Sequence, residues 1–322
     1  SLPVPALRGQ KPAATKLLPK SCHIWMCPVC QGQLIANGRQ FVCDKGHNFD
    51  VAREGYVNLI LAHQRSSAEP GDPPDSVRNR RIFLEAGHYD PLAQQVVAMV
   101  GTHCRSQTHT PTQEEGLVPD SGQMHVLDAG CGEGWLLRQL QAGLGTSQID
   151  GPASGEPVAG EPRTQFHGVD LSRTGVSLGA RASTDIAFAV GNCFRLPVMP
   201  QVVDLMIVMM APSDEVEALR VLKPKAVFMR VVPGADHLAA FRSMVYTEAQ
   251  QHGDKQIPDG FRLIEQETVR FELSLNTLES VAQLIEMTPY KWHMNPETYE
   301  RVRSLSSLVD TAEFVLQLMA PA

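Results

Sequence analysis

The stretch His125-Val126-Leu127-Asp128-Ala129-Gly130-Cys131-Gly132-Glu133-Gly134-Trp135 decides the fold. Residues 125–128 read as a short apolar strand, a glycine-dense turn follows, and a helix begins near Trp135. Glycines at 130, 132 and 134 let the backbone bend sharply and approach a ligand closely at the amino end of that helix. Outward from this point the rhythm repeats. Apolar strands are expected at 166–169, 186–190, 203–209 and 226–232, with helical stretches between most of them. That alternation is the βαβ pattern of a parallel, doubly wound α/β sheet. Asp128 lies at the end of the first strand. The second strand ends in Asp170, able to accept hydrogen bonds from a ribose diol. The third ends in Gly191-Asn192, whose side chain can reach an adenine.

Strand, acid, strand, acid, strand, polar tip is the order used by Rossmann-like S-adenosylmethionine-dependent methyltransferases. The glycine spacing, G-x-G-x-G, departs from the G-x-G-x-x-G of dinucleotide-binding turns, which disfavours a nicotinamide site; a plain α/β turn is the other alternative. Asp128, Gly130, Gly132, Glu133, Gly134, Asp170 and Asn192 are the cofactor-site candidates.

A second motif lies upstream. Cys27-Pro28-Val29-Cys30 is followed by twelve residues, Cys43, three residues and His47. Two short knuckles with four soft or borderline ligands suit a tetrahedral zinc ion. Asn37-Gly38, flanked by Leu34-Ile35-Ala36 and Arg39-Gln40-Phe41-Val42, is a favoured hairpin turn that would bring the knuckles together. Four ligands close the coordination shell, so the zinc is expected to be structural. Cys22 is a further candidate ligand; Cys104, Cys131 and Cys193 read as small apolar residues.

The chain has 322 residues, 43% hydrophobic and 20% charged, which excludes collagen-like, coiled-coil and largely disordered classes. Net charge is −7. Residues 1–110 carry 12 Lys and Arg against 8 Asp and Glu, and the remainder carries the acidic excess, so a polyanion would meet the front end. The longest apolar stretch, 202–212, is broken by Asp204 and falls short of the ~18 residues of a membrane helix. Residues 1–22 lack the apolar core of a signal peptide, and the expectation is a soluble, cytoplasmic protein. Seven cysteines, three of them clustered beside a histidine, then point to metal rather than disulfides.

The expected organisation is a flexible extension at 1–22, a zinc-binding domain at 23–62, a helical connector and linker at 63–122, and a methyltransferase domain at 123–322. The connector holds helices at 77–86 and 92–100 and a linker at 104–122. Residues 143–165, rich in Gly, Pro and Ser, are expected to form a mobile surface loop. Towards the end, 268–275 alternates as a strand, whereas 278–287 and 296–319 read as helices.

With both motifs in one chain, the sequence resembles the RlmA/TlrB family of bacterial 23S rRNA (guanine-N1)-methyltransferases, from about Cys27 to the end. The likeness is carried by CPVC…CDKGHNFDVAREGYVNLI at 27–60, PGDPPDSVRNRRIFLEAGHYDPL at 70–92 and LDAGCGEG at 127–134. MAPSDE at 210–215, VPGADHL at 232–238 and MTPYKW at 287–292 add to it. The resemblance implies zinc on Cys27, Cys30, Cys43 and His47, and cofactor contacts from Tyr89, Gly132, Glu133 and His237. Asp170 and Asn192 match the ribose and adenine positions by place in the fold. Asp214 or Glu215 would contact the target base or accept its proton.

The substrate implied is a 23S rRNA hairpin near the peptide exit tunnel, with an effect on macrolide sensitivity. The zinc domain would recognise that hairpin by shape and backbone, and relatives imply a homodimer with paired zinc modules. Arg78, Arg80 and Arg81 are candidate phosphate contacts. Two departures stand out: Lys223-Pro224-Lys225-Ala226 where the family has Lys-Pro-Gly-Gly, and the long 143–165 insertion. A methyltransferase of another substrate and an RNA-binding relative without catalysis are the competing functions.

Overall fold

The computed structural model describes residues 24–62, 71–108, 123–145, 163–246 and 256–322. The front of the chain forms three short antiparallel strands, β1 (Ile35–Asn37), β2 (Gln40–Val42) and β3 (Asn48–Asp50), and then β4 (Tyr56–Asn58). Two helices follow, α1 (Pro74–Glu85), with proline at its start where no backbone donor is needed, and α2 (Asp90–Thr108).

The alternating region then runs β5 (Gln123–Ala129), α3 (Trp135–Gly145), β6 (Arg163–Asp170), α4 (Arg173–Ala182), β7 (Ile186–Val190), β8 (Val203–Met209), α5 (Glu215–Val221) and β9 (Leu222–Pro233). After α6 (Ala239–Val245) come β10 (Phe261–Leu275), α7 (Leu278–Met287), a 3-10 turn (Pro289–His293), α8 (Pro296–Arg303) and β11 (Leu308–Pro321). Local signals fix several helix starts. Ser172 accepts the Gly175 amide ahead of α4, and Thr277 and Ser280 cap each other's backbone ahead of α7.

One eight-stranded sheet has the order β10-β11-β9-β8-β5-β6-β7-β4. Strands β4 to β9 in it run parallel, and β11 is antiparallel to both neighbours, β9 and β10. The chain winds outward one way from β5 through β6 and β7 and the other way through β8 and β9. The switch point lies at the carboxyl end of β5, where open α/β sheets bind ligands.

Alternate side chains of the strands feed two cores. Val126, Phe166, Phe188 and Ile207 point to the layer formed by α1, α2, α3, α4 and α7. Leu127, Val169, Ala189 and Met206 point the other way, into a core shared with Ala218 and Val221 of α5 and with Ile24, Trp25, Leu34 and Phe41 of the front segment. No helix lies between β7 and β8; the front segment covers that part of the sheet, with Trp25 bridged to Val198. In the same layer Trp25 packs edge-on against His167, whose Nε2 lies 3.1 Å from His125 Nδ1.

Several expectations need correction. Residues 296–319 are not one helix: the helix ends at Arg303, and Leu308–Pro321 is an interior strand paired on both sides. Two flanking ladders outweigh the local helical pattern there. The 268–275 strand begins at Phe261, and the 226–232 strand begins at Leu222, so Lys223-Pro224-Lys225-Ala226 is strand rather than turn. Helix α2 continues through 104–108 of the expected linker. Helix α3 and strand β6 take both ends of the expected 143–165 loop. The hairpin turn is Gly38-Arg39, one residue later than expected, with Asn37 paired to Gln40 and Gly38 at φ 63°. Strand β4, inside the expected 23–62 domain, pairs with β7 of the large sheet. The 1–22 extension, Cys22 and residues 109–122 and 146–162 lie outside the described residues.

Candidate active site and metal centre

The glycine turn sits at the switch point. Gly130, Gly132 and Gly134 all take left-handed φ, at 85°, 55° and 74°. A Cβ on Gly130 would stand 2.3 Å from Ala211 Cβ, so the turn and the segment after β8 are in direct contact. The corresponding point on Gly132 meets only the Arg80 guanidinium, at 3.7 Å.

Acidic groups surround the turn. Asp170, at the end of β6, accepts the Gly132 amide on Oδ2 and the Ser172 amide on Oδ1. Glu133 is buried against Arg138 at 2.8 Å. Burial holds the carboxyls of Asp170 and Glu133 above their ordinary range, against amide hydrogen bonds in the first and Arg138 in the second. Asp128 is pushed up to about 8, first by burial and then by Asp170. Asp128 Oδ1 and Glu133 Oε1 are buried with no hydrogen-bond partner in the protein. Two orphaned acceptors beside an open glycine turn fit a cationic ligand bearing donors, which is what the sulfonium, ammonium and hydroxyl groups of S-adenosylmethionine supply.

The remaining candidates fall into three places. Asn192 follows β7, where the Gly191 amide bonds to the Asp170 carbonyl at 3.0 Å; its Oδ1 accepts the Phe194 amide. Asp214, three residues beyond Ala211, caps α5 by accepting the Glu217 amide at 2.8 Å, and Glu215 is the first residue of that helix. Tyr89 and His237 come together, ring centroids 6.4 Å apart, in an aromatic cluster with Phe314. His237 Nδ1 accepts the Glu313 amide, and burial pushes the Tyr89 phenol up.

Three features escaped the sequence reading. Asp72, to which no role was given, pairs with Arg80 beside Gly132. Phe194, two residues from Asn192, has 56% of its surface exposed. Met210 takes φ 49° next to the residue that touches Gly130, a rare conformation for a side chain of this size. The expected phosphate contacts are all in ion pairs: Arg78 with Asp75, Arg80 with Asp72 and Arg81 with Glu85.

In the front segment, where Cys27 and Cys43 join the second core, the side chains of Cys27, Cys30, Cys43 and His47 converge, all ligand atoms within 4.8 Å of one another. Cys30 Sγ lies 3.6 Å from Cys43 Sγ, and His47 Nδ1 lies 3.3 Å from Cys43 Sγ and 3.7 Å from Cys27 Sγ. Ligands about 2.3 Å from a tetrahedral zinc stand about 3.8 Å apart, so this donor set fits the ion closely. Burial raises the Cys43 thiol, but hydrogen bonding with Cys30 and His47 outweighs it and brings the group to about 7, favourable to a thiolate ligand.

Comparison with known proteins agrees with this geometry. Residues 25–68 match the zinc ribbon of the RlmA N-terminal region. A protein of Micromonospora griseorubida named as a 23S rRNA (guanine-N1)-methyltransferase is 30% identical over 88% of this chain and 92% of its own. The 23S rRNA (guanine(748)-N1)-methyltransferase of Streptomyces fradiae is 27% identical over 91% of this chain and 93% of its own. Among solved structures, a Haloferax volcanii methyltransferase in complex with its Trm112 activator is 20% identical. It covers 78% of this chain and 98% of that one, with a TM-score of 0.38.

Proposed function

Because the chain belongs to the family of 23S rRNA (guanine-N1)-methyltransferases, we propose that it methylates N1 of a guanine in 23S rRNA with S-adenosylmethionine as donor. The observation that carries this is the joining, around one sheet, of a Cys3His ribbon and a glycine turn bordered by orphaned carboxylate oxygens.

The donor supplies an electrophilic methyl group on a sulfonium. The protein's part is to hold and orient, since alignment of reactants provides much of the acceleration in such a transfer. Asp170 and Asn192 take the ribose and adenine end. Asp128 and Glu133, with the amides of Gly130, Gly132 and Gly134, face the cationic end. Tyr89 and His237 close the site from the helix-covered face. Guanine N1 bears a proton and is engaged in a base pair, so the base must leave its stack, and its proton must go to a carboxylate or water. Asp214 and Glu215, beyond the Ala211 contact with Gly130, are the carboxylates for that role. The zinc ribbon meets the RNA by shape and backbone.

The finer assignments are a hairpin near the peptide exit tunnel, an effect on macrolide sensitivity, a homodimer pairing its ribbons and a cytoplasmic place of work. Among the described residues no helix is long and apolar enough to cross a membrane. The deciding experiment incubates 23S rRNA with protein and S-adenosylmethionine and maps reverse-transcription stops. A new stop at one guanine is expected; methylation of protein or a metabolite instead of RNA refutes the reading. Sedimentation of the purified protein tests the dimer.

A further inference from the structure

Trp292 leaves 68% of its surface in solvent, while the other two tryptophans of the chain, Trp25 and Trp135, are buried. An exposed indole offers a flat apolar face with a polar edge, which suits it to contact with a partner. The ring is braced. Lys291 Nζ lies 4.6 Å from its centroid and is itself anchored to Glu286 at 3.0 Å and to Ser76 Oγ at 3.2 Å. The surrounding turn is fixed by Tyr290 packing on Phe241 and Tyr246.

The turn that carries the ring starts close to the glycine loop. Arg80 donates to the Met287 carbonyl, at the end of α7, and the same guanidinium lies beside Gly132. The turn bearing Trp292 therefore begins one side chain away from the glycine loop. It belongs to the helix-covered face, across the sheet from the zinc ribbon. Arg301 and Arg303 of the helix that follows, α8, are exposed, and so are Glu297 and Glu300. That balance favours recognition of a base over recognition of phosphates, because every base offers a flat face to an aromatic ring.

We propose that Trp292 stacks on an unpaired base of the RNA substrate beside the target guanine, so that the RNA is held from both faces of the sheet. The inference rests on the rRNA-methylating reading above, in which the target base and its neighbours must be unstacked.

The test uses full-length protein and a 23S hairpin transcript that it methylates. Titration with that RNA should quench the iodide-accessible tryptophan emission, which Trp292 alone supplies. W292A should raise the KM for RNA roughly tenfold, within the range measured for one base–aromatic stack, and leave the KM for S-adenosylmethionine unchanged. W292F should recover most of the loss. Unquenched emission, or wild-type kinetics of W292A, would overturn the platform while the methylation reading stands, and so would equal losses for RNA and donor, which mark a structural role. Wild-type protein that methylates no 23S hairpin transcript would sink both.

Discussion

At the scale of single residues, the glycine turn and its acids make the sharpest predictions. G130A must place a methyl 2.3 Å from Ala211 Cβ at a φ of 85°. The left-handed conformation alone costs about 1–2 kcal/mol, and the collision adds to it. Calorimetry should show loss of donor binding by G130A beyond what its lowered Tm explains. Asp128 gives a pH signature. Its carboxyl titrates near 8 in the folded protein against an ordinary 3.8. The folded chain keeps a proton that the unfolded chain has released, so this group removes stability as pH rises from about 4 to about 8. D128N should therefore gain in Tm relative to wild type as pH climbs through that window, while binding S-adenosylmethionine more weakly. Parallel Tm curves would contradict the assignment. Asp128 and Glu133 were legible because they lie within a few positions of the glycines, and Asp170 because it ends the next strand. Asp72 and Phe194 were not, because each acquires its place only when distant segments fold together, and the pairing of Tyr89 with His237 was visible only through family resemblance.

At the scale of elements, the zinc hairpin and the last strand are the instructive cases. Chelation or C30S should disorder 27–50 and lower RNA affinity, with donor affinity changed far less, because none of the four ligands belongs to the glycine turn or its acids. Hydrogen exchange over the hairpin and separate binding titrations check this; equal loss of both affinities with the sheet still folded would refute it. Strand β11 carries Leu316, fully buried between two neighbouring strands. L316A should cost about 2–5 kcal/mol by chemical denaturation. The ligand spacing gave away the hairpin at once, since metal chemistry constrains positions directly. The fate of 308–321 depended on neighbours far away in sequence, and its run of Ala, Leu, Glu and Gln suits a helix locally.

At the scale of the whole molecule, the ribbon is not an appendage. Its apolar residues complete one of the two cores, β4 shields the edge of β7, and Arg173 and Arg181 of α4 hold Tyr56 and Glu54. Removal of residues 1–62 should therefore lower the Tm of the remainder and promote aggregation along the bared strand. A truncated protein melting like the full chain would show the two parts to be independent. Composition alone could not reveal this, because the interlock lies in which strand faces are filled rather than in how apolar the segments are.

That interlock also sets an order of events during synthesis. Residues 24–62 leave the ribosome long before 186–190, the segment that β4 must join. Until then the newborn front end has apolar surface and no sheet to cover. Early capture of the ion gives it a compact knot in which to wait, so scarcity of the metal would be felt first as misassembly of nascent chains, ahead of any deficit in the mature enzyme.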